Sequence, residues 1–131
     1  MIHLPYEVGI SQKLHIRGMI ATEDIHKGTI IERCPVIPIP ITEKSNLLRT
    51  ELQNYYFEWT NSHHAIVLGY GALINHSFKP NAAYTCGYKN KVMIYYAIKF
   101  IKKGEEIFIN YNGSPNDKTP LASGLTNFKK I

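Results

Sequence analysis

The segment GALINHSFKPNA, residues 71–82, changes from apolar to polar at its centre. An apolar run leads directly into Asn75, His76 and Ser77, and a Pro-Asn pair follows before the next apolar residues. Asparagine and serine at such a junction usually shape a turn, and a lone buried histidine usually serves structure through its hydrogen bonds. Taken alone, the segment predicts a turn between two strands and indicates no particular chemistry.

A second segment, IKKGEEIFINY at residues 101–111, also combines apolar and polar residues. Its Lys-Lys-Gly triplet is a turn signal, and the apolar residues that follow predict a short strand ending at Tyr111. Glu105 and Glu106 adjoin the lysines, so we assign both carboxylates to the turn and to structure. Tyr111 is one of nine tyrosines, and its position alone would make it a cap on that strand.

Size and composition predict one globular domain. The chain has 131 residues, of which 44% are hydrophobic, enough for a single core and too few for two ordinary domains. No apolar run approaches the roughly 18 residues of a membrane span. The N-terminal sequence lacks the basic start and apolar stretch of a signal peptide. We therefore expect a soluble intracellular protein without a membrane segment.

The cysteines and histidines do not predict a metal site. Cys34 and Cys86 belong to no CxxC or CxC pair, so they offer no four-ligand zinc site, and we expect free thiols. Neighbouring side chains at His63 and His64 diverge, and His76 adds no third ligand at a regular spacing. We expect no metal.

The net charge of +5 is unevenly distributed along the chain. From Lys79 to Lys103 there are six lysines and no Asp or Glu. A basic face of this kind attracts acidic partners, nucleic acid or anionic cofactors. An equally good reading is a solvated face that only keeps the protein soluble, and the sequence leaves both open.

Secondary-structure signals predict a mainly β protein with one helix. Short strands are expected before residue 42, and three prolines confine residues 26–40 to an edge strand or extended chain: Pro35, Pro38 and Pro40. Residues 42–59 are predicted to form the helix, with Thr42 as its N-cap. Its apolar face is spaced at helical intervals: Leu48, Leu52, Tyr55 and Trp59. The tail is expected to lie over the domain through Leu121, Leu125, Phe128 and Ile131.

The two segments quoted first, in this order, resemble the two signature motifs of the SET-domain protein lysine methyltransferases. That pattern runs from an apolar pair through Asn-His-Ser, two variable residues and Pro-Asn to a downstream Gly-Glu-Glu, apolar residues, a polar residue and Tyr. Residues 14–32 resemble the family opening, and residues 52–59 its Tyr-x-Phe helix. The resemblance covers residues 10–112, and the chain is most similar to the minimal SET proteins of large DNA viruses and bacteria.

This resemblance implies the SET-domain, β-clip-like fold: several short sheets, one inserted helix and a pseudo-knotted C-terminal part. The whole chain, residues 1–131, would be one SET domain, with residues 113–131 as a C-terminal tail. Three positions depart from the family pattern. Ile16 replaces the first glycine of the opening turn, and Asn110 stands where Asp is common. No cysteine cluster follows, so the tail or a homodimer partner would have to close the substrate groove.

The activity implied is transfer of a methyl group from S-adenosyl-L-methionine to a lysine ε-amine of a protein substrate. Tyr111 would be the catalytic residue. The resemblance assigns the cofactor to six residues: Arg17, Gly18, Met19, Asn75, His76 and Tyr111. Four further residues would form the substrate channel: Tyr55, Phe57, Tyr70 and Ile109. An isoleucine at position 109 favours the addition of more than one methyl group.

The expected substrate is a histone or another basic protein, with nucleic acid involved indirectly if at all. The location would be cytoplasmic in a bacterium, and nuclear in a eukaryote or for a virus in its host. A second hypothesis is a catalytically silent SET-like module that binds protein or nucleic acid through the lysine-rich strands. A third is a nucleic-acid-binding β-barrel, which would need exposed aromatics among the lysines, with candidates at Tyr88, Tyr95 and Tyr96.

Overall fold

The computed structural model describes residues 3–121, which fold into two β-sheets and a few short helices. The strands are β1 Tyr6–Ile10, β2 Arg17–Ala21, β3 Ile30–Pro40, β4 Tyr56–Thr60, β5 His63–Val67, β6 Asn75–His76, β7 Ala82–Gly87, β8 Val92–Ala97 and β9 Glu106–Ile109. The helix α1 is Lys44–Leu47, and single 3-10 turns cover Ile41–Glu43, Glu51–Asn54 and Tyr70–Leu73. The prediction of a mainly β fold with several short sheets and one inserted helix is confirmed. None of the helices in residues 3–121 has the length and hydrophobicity that a membrane span requires.

The first sheet has the strand order β1-β2-β9-β6. β1 and β2 form an antiparallel hairpin, and β9 pairs antiparallel with β2. On its other side β9 pairs in parallel with β6, so that Asn75 lies opposite Phe108 and His76 opposite Ile109. The two segments on which the sequence analysis rests are therefore neighbouring strands of one sheet.

The second sheet has the order β4-β5-β3-β8-β7. β3 is extended, as its prolines predict, but it lies inside the sheet order rather than at an edge. Its two halves have different partners, because Ile30 to Pro35 pair with β8 and Val36 to Pro40 pair with β5. Each half thus needs backbone pairing on one side only, which a strand containing proline can satisfy.

The helix predicted for residues 42–59 is wrong in its extent. The α-helix ends at Leu47, a 3-10 turn follows, and the chain is β-strand from Tyr56. Leu48 and Leu52, which the helical pattern assigned to a buried face, are 41% and 44% exposed. From Phe57 the residues of β4 alternate between buried and exposed positions as in a strand, with Phe57 and Trp59 buried and Glu58 exposed, and pairing with β5 overrides the helical spacing.

The N-cap prediction at Thr42 also fails. Thr42 lies inside the first 3-10 turn. Thr50 is the residue that caps, since its side-chain oxygen accepts a hydrogen bond from the backbone N–H of Leu52 at 3.2 Å and begins the 3-10 turn Glu51–Asn54. This cap ends the helical segment early and directs the chain into β4.

The core lies between the two sheets and fixes the position of β9. Ile107 and Ile109 are fully buried together with Met19 of β2 and Ile74, which precedes β6. Each such side chain contributes roughly 1.5–3 kcal/mol on burial. The inward face of β9 is therefore held by apolar packing, and the opposite face, which carries Glu106 and Phe108, is left for polar contacts.

Candidate active site

Tyr111 and the Asn75-His76 pair are in direct contact, although 34 or more positions separate them in the chain. The backbone N–H of Tyr111 donates to Nδ1 of His76 at 3.0 Å. The phenol of Tyr111 donates to the carbonyl of Ile74 at 2.7 Å. The backbone N–H of Ser77 donates to the carbonyl of Ile109 at 2.9 Å. The contact follows from the parallel pairing of β6 and β9, which delivers the end of β9 to the first motif.

Asn75 is fully buried and organises one side of this site. Its amide group donates two hydrogen bonds, one to the carbonyl of Arg17 and one to the carboxylate of Glu106, both at 2.9 Å. The remaining polar atom, Oδ1, is buried and accepts no hydrogen bond from a described residue. An unsatisfied buried acceptor costs roughly 1–3 kcal/mol. A ligand ammonium that reached this oxygen would remove that cost.

Gly18 is required here for space. A Cβ at this position would lie 2.5 Å from the Glu106 carboxylate oxygen and 2.9 Å from the Asn75 amide nitrogen. Any larger residue would therefore push apart the two side chains that hydrogen-bond each other. Its φ is not among the positive values of the chain, so the requirement is for close approach and not for a special backbone angle.

The turn that precedes Gly18 accommodates Ile16 where the family has glycine. His15 adopts the left-handed conformation, with φ of 60°, and Ile16 is buried at 5% exposure. The backbone of Ser11 closes the turn by donating to Ile16 and accepting from His15. Because the unusual angle falls at His15, position 16 does not need a glycine.

Glu106 is a residue that the sequence analysis missed as part of the site. Its neighbour Glu105 does serve the turn, since its carboxylate accepts the backbone N–H of Lys102 at 2.6 Å. Glu106 instead begins β9 and bonds Asn75. Strand alternation could have indicated this, because Glu106 shares the face of Phe108 while Ile107 and Ile109 point into the core.

Tyr111 also borders an aromatic cavity of about 260 Å³. The ring of Phe57 stands edge-on to Tyr111 at 5.8 Å and to Tyr84 at 5.9 Å between centroids. The other lining residues include Asn54, Tyr55, Tyr56, Glu58, Asn112, Pro120 and Leu121. Of the four residues predicted for the substrate channel, Tyr55 and Phe57 are in this lining.

Tyr84 was not predicted for the channel, and its position in a strand rich in aromatic and small residues gave no specific signal. Its hydroxyl donates to the carbonyl of Tyr111 at 3.4 Å. Burial raises the pKa of Tyr84 well above its usual value, and the nearby Cys86, Glu58 and Tyr88 raise it further. The phenol therefore stays neutral at physiological pH and remains a hydrogen-bond donor.

Arg17 connects the two sides of the site. Its backbone carbonyl accepts from Asn75, and its exposed guanidinium donates to the hydroxyl of Tyr55 at 3.2 Å. Arg17, at the start of β2, thus links the Asn75 cluster to the cavity through Tyr55, which is in the cavity lining.

Three predicted residues lie away from the cavity. Met19 is 1% exposed and packs in the core, so only its backbone faces the turn. Ile109 is fully buried and is not in the cavity lining. Tyr70 is 44% exposed, with its ring edge-on to Tyr6 at 5.9 Å and its backbone N–H donating to Glu32. The structure does not bring Tyr70 or Ile109 together with Phe57 on that lining, and their assigned roles stay predictions.

The first part of the tail folds back onto the cavity. The amide of Asn110 donates to the carbonyl of Asp117 at 2.6 Å, and the amide of Asn112 donates to the carbonyl of Thr119 at 2.7 Å. An aspartate at position 110 could not donate the bond to Asp117, so the departure from the family pattern is coupled to the tail. Pro120 and Leu121 thereby reach the cavity. The predicted tail contacts of Leu125, Phe128 and Ile131 lie outside the described residues.

Residues 16–112 match the sequence model of the SET domain. A Schizosaccharomyces pombe protein named histone-lysine N-methyltransferase, H3 lysine-37 specific, is 30% identical over 112 residues, which are 85% of this chain and 76% of that protein. The crystal structure of a Plasmodium falciparum candidate histone methyltransferase is 37% identical, with a TM-score of 0.68 over 86% of this chain and 97% of that one. A structure of ctPRC2 bound to S-adenosylmethionine shares the fold, with a TM-score of 0.70 at 24% identity over 84% of this chain and 15% of that one. The chain belongs to the SET-domain family.

Proposed function

We propose that this SET domain is a protein lysine N-methyltransferase that uses S-adenosyl-L-methionine and acts on a histone or another basic protein. The observation that carries the proposal is the position of Tyr111, which contacts His76 and Ile74 on one side and borders an aromatic cavity on the other. The same residue can therefore meet a cofactor held near Asn75 and a lysine that enters through the cavity.

The cavity suits a lysine that must lose its charge before it reacts. Free lysine has a pKa near 10.4, so roughly one amine in two thousand is neutral at pH 7. Apolar and aromatic walls such as Phe57 disfavour the charged form, and a neighbouring cation disfavours it further. No strong general base is needed once the neutral amine is held in line, because alignment of the reacting atoms supplies much of the acceleration.

Tyr111 is suited to orient that amine. Its hydroxyl proton is directed to the carbonyl of Ile74, and a phenol that donates in this way presents its oxygen as an acceptor. An amine N–H directed at this oxygen would have its lone pair turned toward the cofactor. The aromatic rings of Phe57 and Tyr84 would also attract a methylated ammonium through cation–π contacts.

The residues around Asn75 fit the amino-acid end of the cofactor. Its unsatisfied Oδ1 is an acceptor for the ammonium group, and Gly18 keeps the strand backbone close without a side chain in the way. When bound, S-adenosyl-L-methionine supplies an activated methyl group on a sulfonium. The chain's own contribution is to hold this group and to exclude water from the cavity beside it.

The proposed substrate class rests on charge and on the relatives. Glu58, exposed at its position on β4, places a carboxylate in the cavity lining, where a basic peptide would be favoured over an acidic one. The similar S. pombe protein is named for a histone H3 lysine. We keep the predictions of a homodimer and of an intracellular location, nuclear in a eukaryotic setting, as proposals for sedimentation and imaging experiments.

The proposal is tested by mass spectrometry of histone H3 incubated with the protein and S-adenosyl-L-methionine. We expect mass gains of about 14 Da per methyl group, a value set by atomic masses as for other covalent modifications. Tyr111→Phe should slow the gain by about 100-fold, within the range for a residue that orients the reacting group. Tyr88→Phe is the matched control, because Tyr88 is 56% exposed and outside the cavity lining. Full-rate methylation by Tyr111→Phe would refute the assignment, and S-adenosyl-L-methionine binding without any methyl transfer would favour the catalytically silent module.

A further inference from the structure

A second concave surface lies on the outer face of the first sheet. It encloses about 580 Å³ and is lined by Ile20 of β2 and by Glu106 and Phe108 of β9. These residues alternate with Met19, Ile107 and Ile109, whose side chains are buried in the core. No residue of this lining also lines the Tyr111 cavity, so the surface is separate from the proposed lysine channel.

This surface continues into a neighbouring depression of about 410 Å³, because both are lined by Lys79 and Lys99. We call the combined surface the lysine groove. Its basic and aromatic residues are Lys13, Lys79, Lys99, Lys118, Phe78, Phe100 and Phe108.

The four lysines of the groove carry charge that the fold does not neutralise. All four are exposed, and within residues 3–121 the one ion pair joins His3 to Glu23, away from the groove. The two carboxylates in the lining have other hydrogen-bond partners: Glu105 accepts the Lys102 N–H and Glu106 binds Asn75. These neutral donors leave both carboxylates charged, and the four lysines outnumber them, so the groove offers a net positive charge to a ligand.

Phenylalanine accompanies lysine at three places along the groove. Phe78 precedes Lys79, and Phe100 follows Lys99 in the sequence. The ammonium of Lys13 lies 5.7 Å from the ring centroid of Phe108. Phe78 and Phe100 are 37% and 48% exposed, which is high for rings of this size. The groove thus combines four exposed lysines with two exposed aromatic rings and a third that is half-buried.

We propose that the lysine groove binds single-stranded nucleic acid. Lysines along a groove neutralise the phosphates, and exposed aromatic rings stack with unpaired bases without preference for sequence. Duplex DNA would use the lysines but would leave the rings without a partner, because its bases are already stacked. An acidic peptide likewise gives the phenylalanines no reason to be exposed. The involvement of nucleic acid expected from the sequence is indirect if there is any, and the aromatic residues of the groove argue for a direct one.

The experiment measures fluorescence anisotropy of a labelled oligo-dT of about 20 nucleotides, a length that exceeds common site sizes. The wild-type protein should bind, with an affinity that falls steeply as salt increases. Each lysine–phosphate contact contributes about 0.7 to the slope of log affinity against log salt for a single strand. The double variant Lys79→Gln and Lys99→Gln should therefore lower the magnitude of this slope by about 1.4 and the affinity by at least about tenfold.

Matched variants separate the groove from general charge. Lys89→Gln with Lys91→Gln changes the net charge equally at the β7–β8 turn, outside the groove, and should leave binding within about twofold of wild type. Phe100→Ala should weaken binding by about tenfold through lost stacking. The single variants Lys13→Gln and Lys118→Gln should each lower the slope by about 0.7.

Three results would overturn the proposal. The first is an equal loss of affinity in the Lys89 and Lys91 control, which would indicate non-specific charge attraction. The second is tighter binding to a duplex of the same length, or unchanged binding by Phe100→Ala, either of which would exclude base stacking. The third is displacement of the oligonucleotide by poly-glutamate at equal charge, which would indicate an acidic protein partner. Methyl transfer does not enter any of these measurements. Their outcome therefore tests the nucleic-acid site independently of the proposed activity.

Discussion

The two sides of Tyr111 are built by opposite means. On one side, Asn75, Gly18 and Glu106 form a tight polar cluster in which both amide protons of Asn75 are used and an added Cβ at Gly18 has no room. On the other side, Phe57 and Tyr84 stand edge-on around an open cavity, and the hydroxyl of Tyr84 donates one long hydrogen bond at 3.4 Å. The polar side tolerates almost no change in shape, whereas the aromatic side depends on surface character and should tolerate exchange.

The largest expected effect follows from Asn75→Ala. This change removes the acceptor proposed for the cofactor ammonium, and a hydrogen bond to a charged group contributes about 1.5–3 kcal/mol. The dissociation constant for S-adenosyl-L-methionine, measured by calorimetry, should therefore rise by roughly 10- to 150-fold. Asn81→Ala is the matched control. Like Asn75, Asn81 makes two side-chain hydrogen bonds, and both of its partners are backbone groups of β9.

Asn81→Ala should lower the melting temperature about as much as Asn75→Ala while leaving cofactor affinity nearly unchanged below the transition. Equal losses of affinity in the two variants would mean that Asn75 acts only through the position of β9. The polar side of Tyr111 would then not bind the cofactor directly, and the contrast between a polar side that binds the cofactor and an aromatic side that shapes the cavity would be lost.

Gly18→Ala should have the next largest effect. The new methyl group would overlap the Glu106 carboxylate and the Asn75 amide, and overpacking of this kind costs about 1–3 kcal/mol. Urea denaturation should show that loss, and calorimetry should show weaker cofactor binding. Gly28→Ala separates backbone strain from overlap, since a Cβ there meets nothing within 4 Å but the φ of 88° disfavours alanine. This variant should lose stability and keep the cofactor affinity of the wild type. If Gly18→Ala bound the cofactor as well as wild type, the close packing of the polar side would be irrelevant to binding.

The aromatic side should be distinguished by its response to alkaline pH. Burial raises the pKa of Tyr84 above the usual value near 10. Folded protein therefore keeps this proton at a pH where the unfolded chain loses it, so the stabilisation is complete below about pH 10 and is lost as pH rises above it. Each such group lowers the free energy of unfolding by about 1.4 kcal/mol per pH unit in that range.

Urea denaturation at several pH values between about 9 and 11 measures this loss. Tyr84→Phe should reduce the slope of the free energy of unfolding against pH by about 1.4 kcal/mol per pH unit, the amount that corresponds to one proton. Tyr95 and Cys34, whose pKa values burial also raises, the thiol to about 12, should maintain a remaining decline in that variant. An unchanged slope in Tyr84→Phe would show that this phenol is not protected by the fold.

The smallest effect is expected for Tyr84→Phe on methyl transfer at neutral pH. Its hydroxyl makes one long hydrogen bond, and the ring that borders the cavity is retained. We expect the rate to change by no more than about fivefold, since a neutral hydrogen bond contributes about 1 kcal/mol or less. A loss of rate comparable to that of Tyr111→Phe would show that the aromatic side depends on polar contacts as much as the polar side does.

The contact between Tyr111 and the Asn75-His76 pair could be expected because each belongs to a motif of the family that the sequence resembles, and both motifs were assigned to one cofactor. Such motifs identify residues that are distant in the chain and close in the fold, which local spacing cannot do. The helix over residues 42–59 failed for the complementary reason. Its apolar spacing suited a helix, but pairing of Tyr56 to Thr60 with β5 is a non-local interaction that overrides propensity. Glu106 was missed because a carboxylate in a turn sequence resembles any solvated charge until Asn75 is placed beside it.

The insertion of β9 between β2 and β6 has a consequence for biosynthesis. A nascent chain that has emerged from the ribosome only as far as residue 100 holds β2 and β6 without the strand that joins them. Pairing across such long sequence separations is slow and closes late in folding. The site around Tyr111 would therefore assemble in one step after β9 has been synthesised, and a polypeptide terminated before β9 would carry the Asn-His pair yet remain inert.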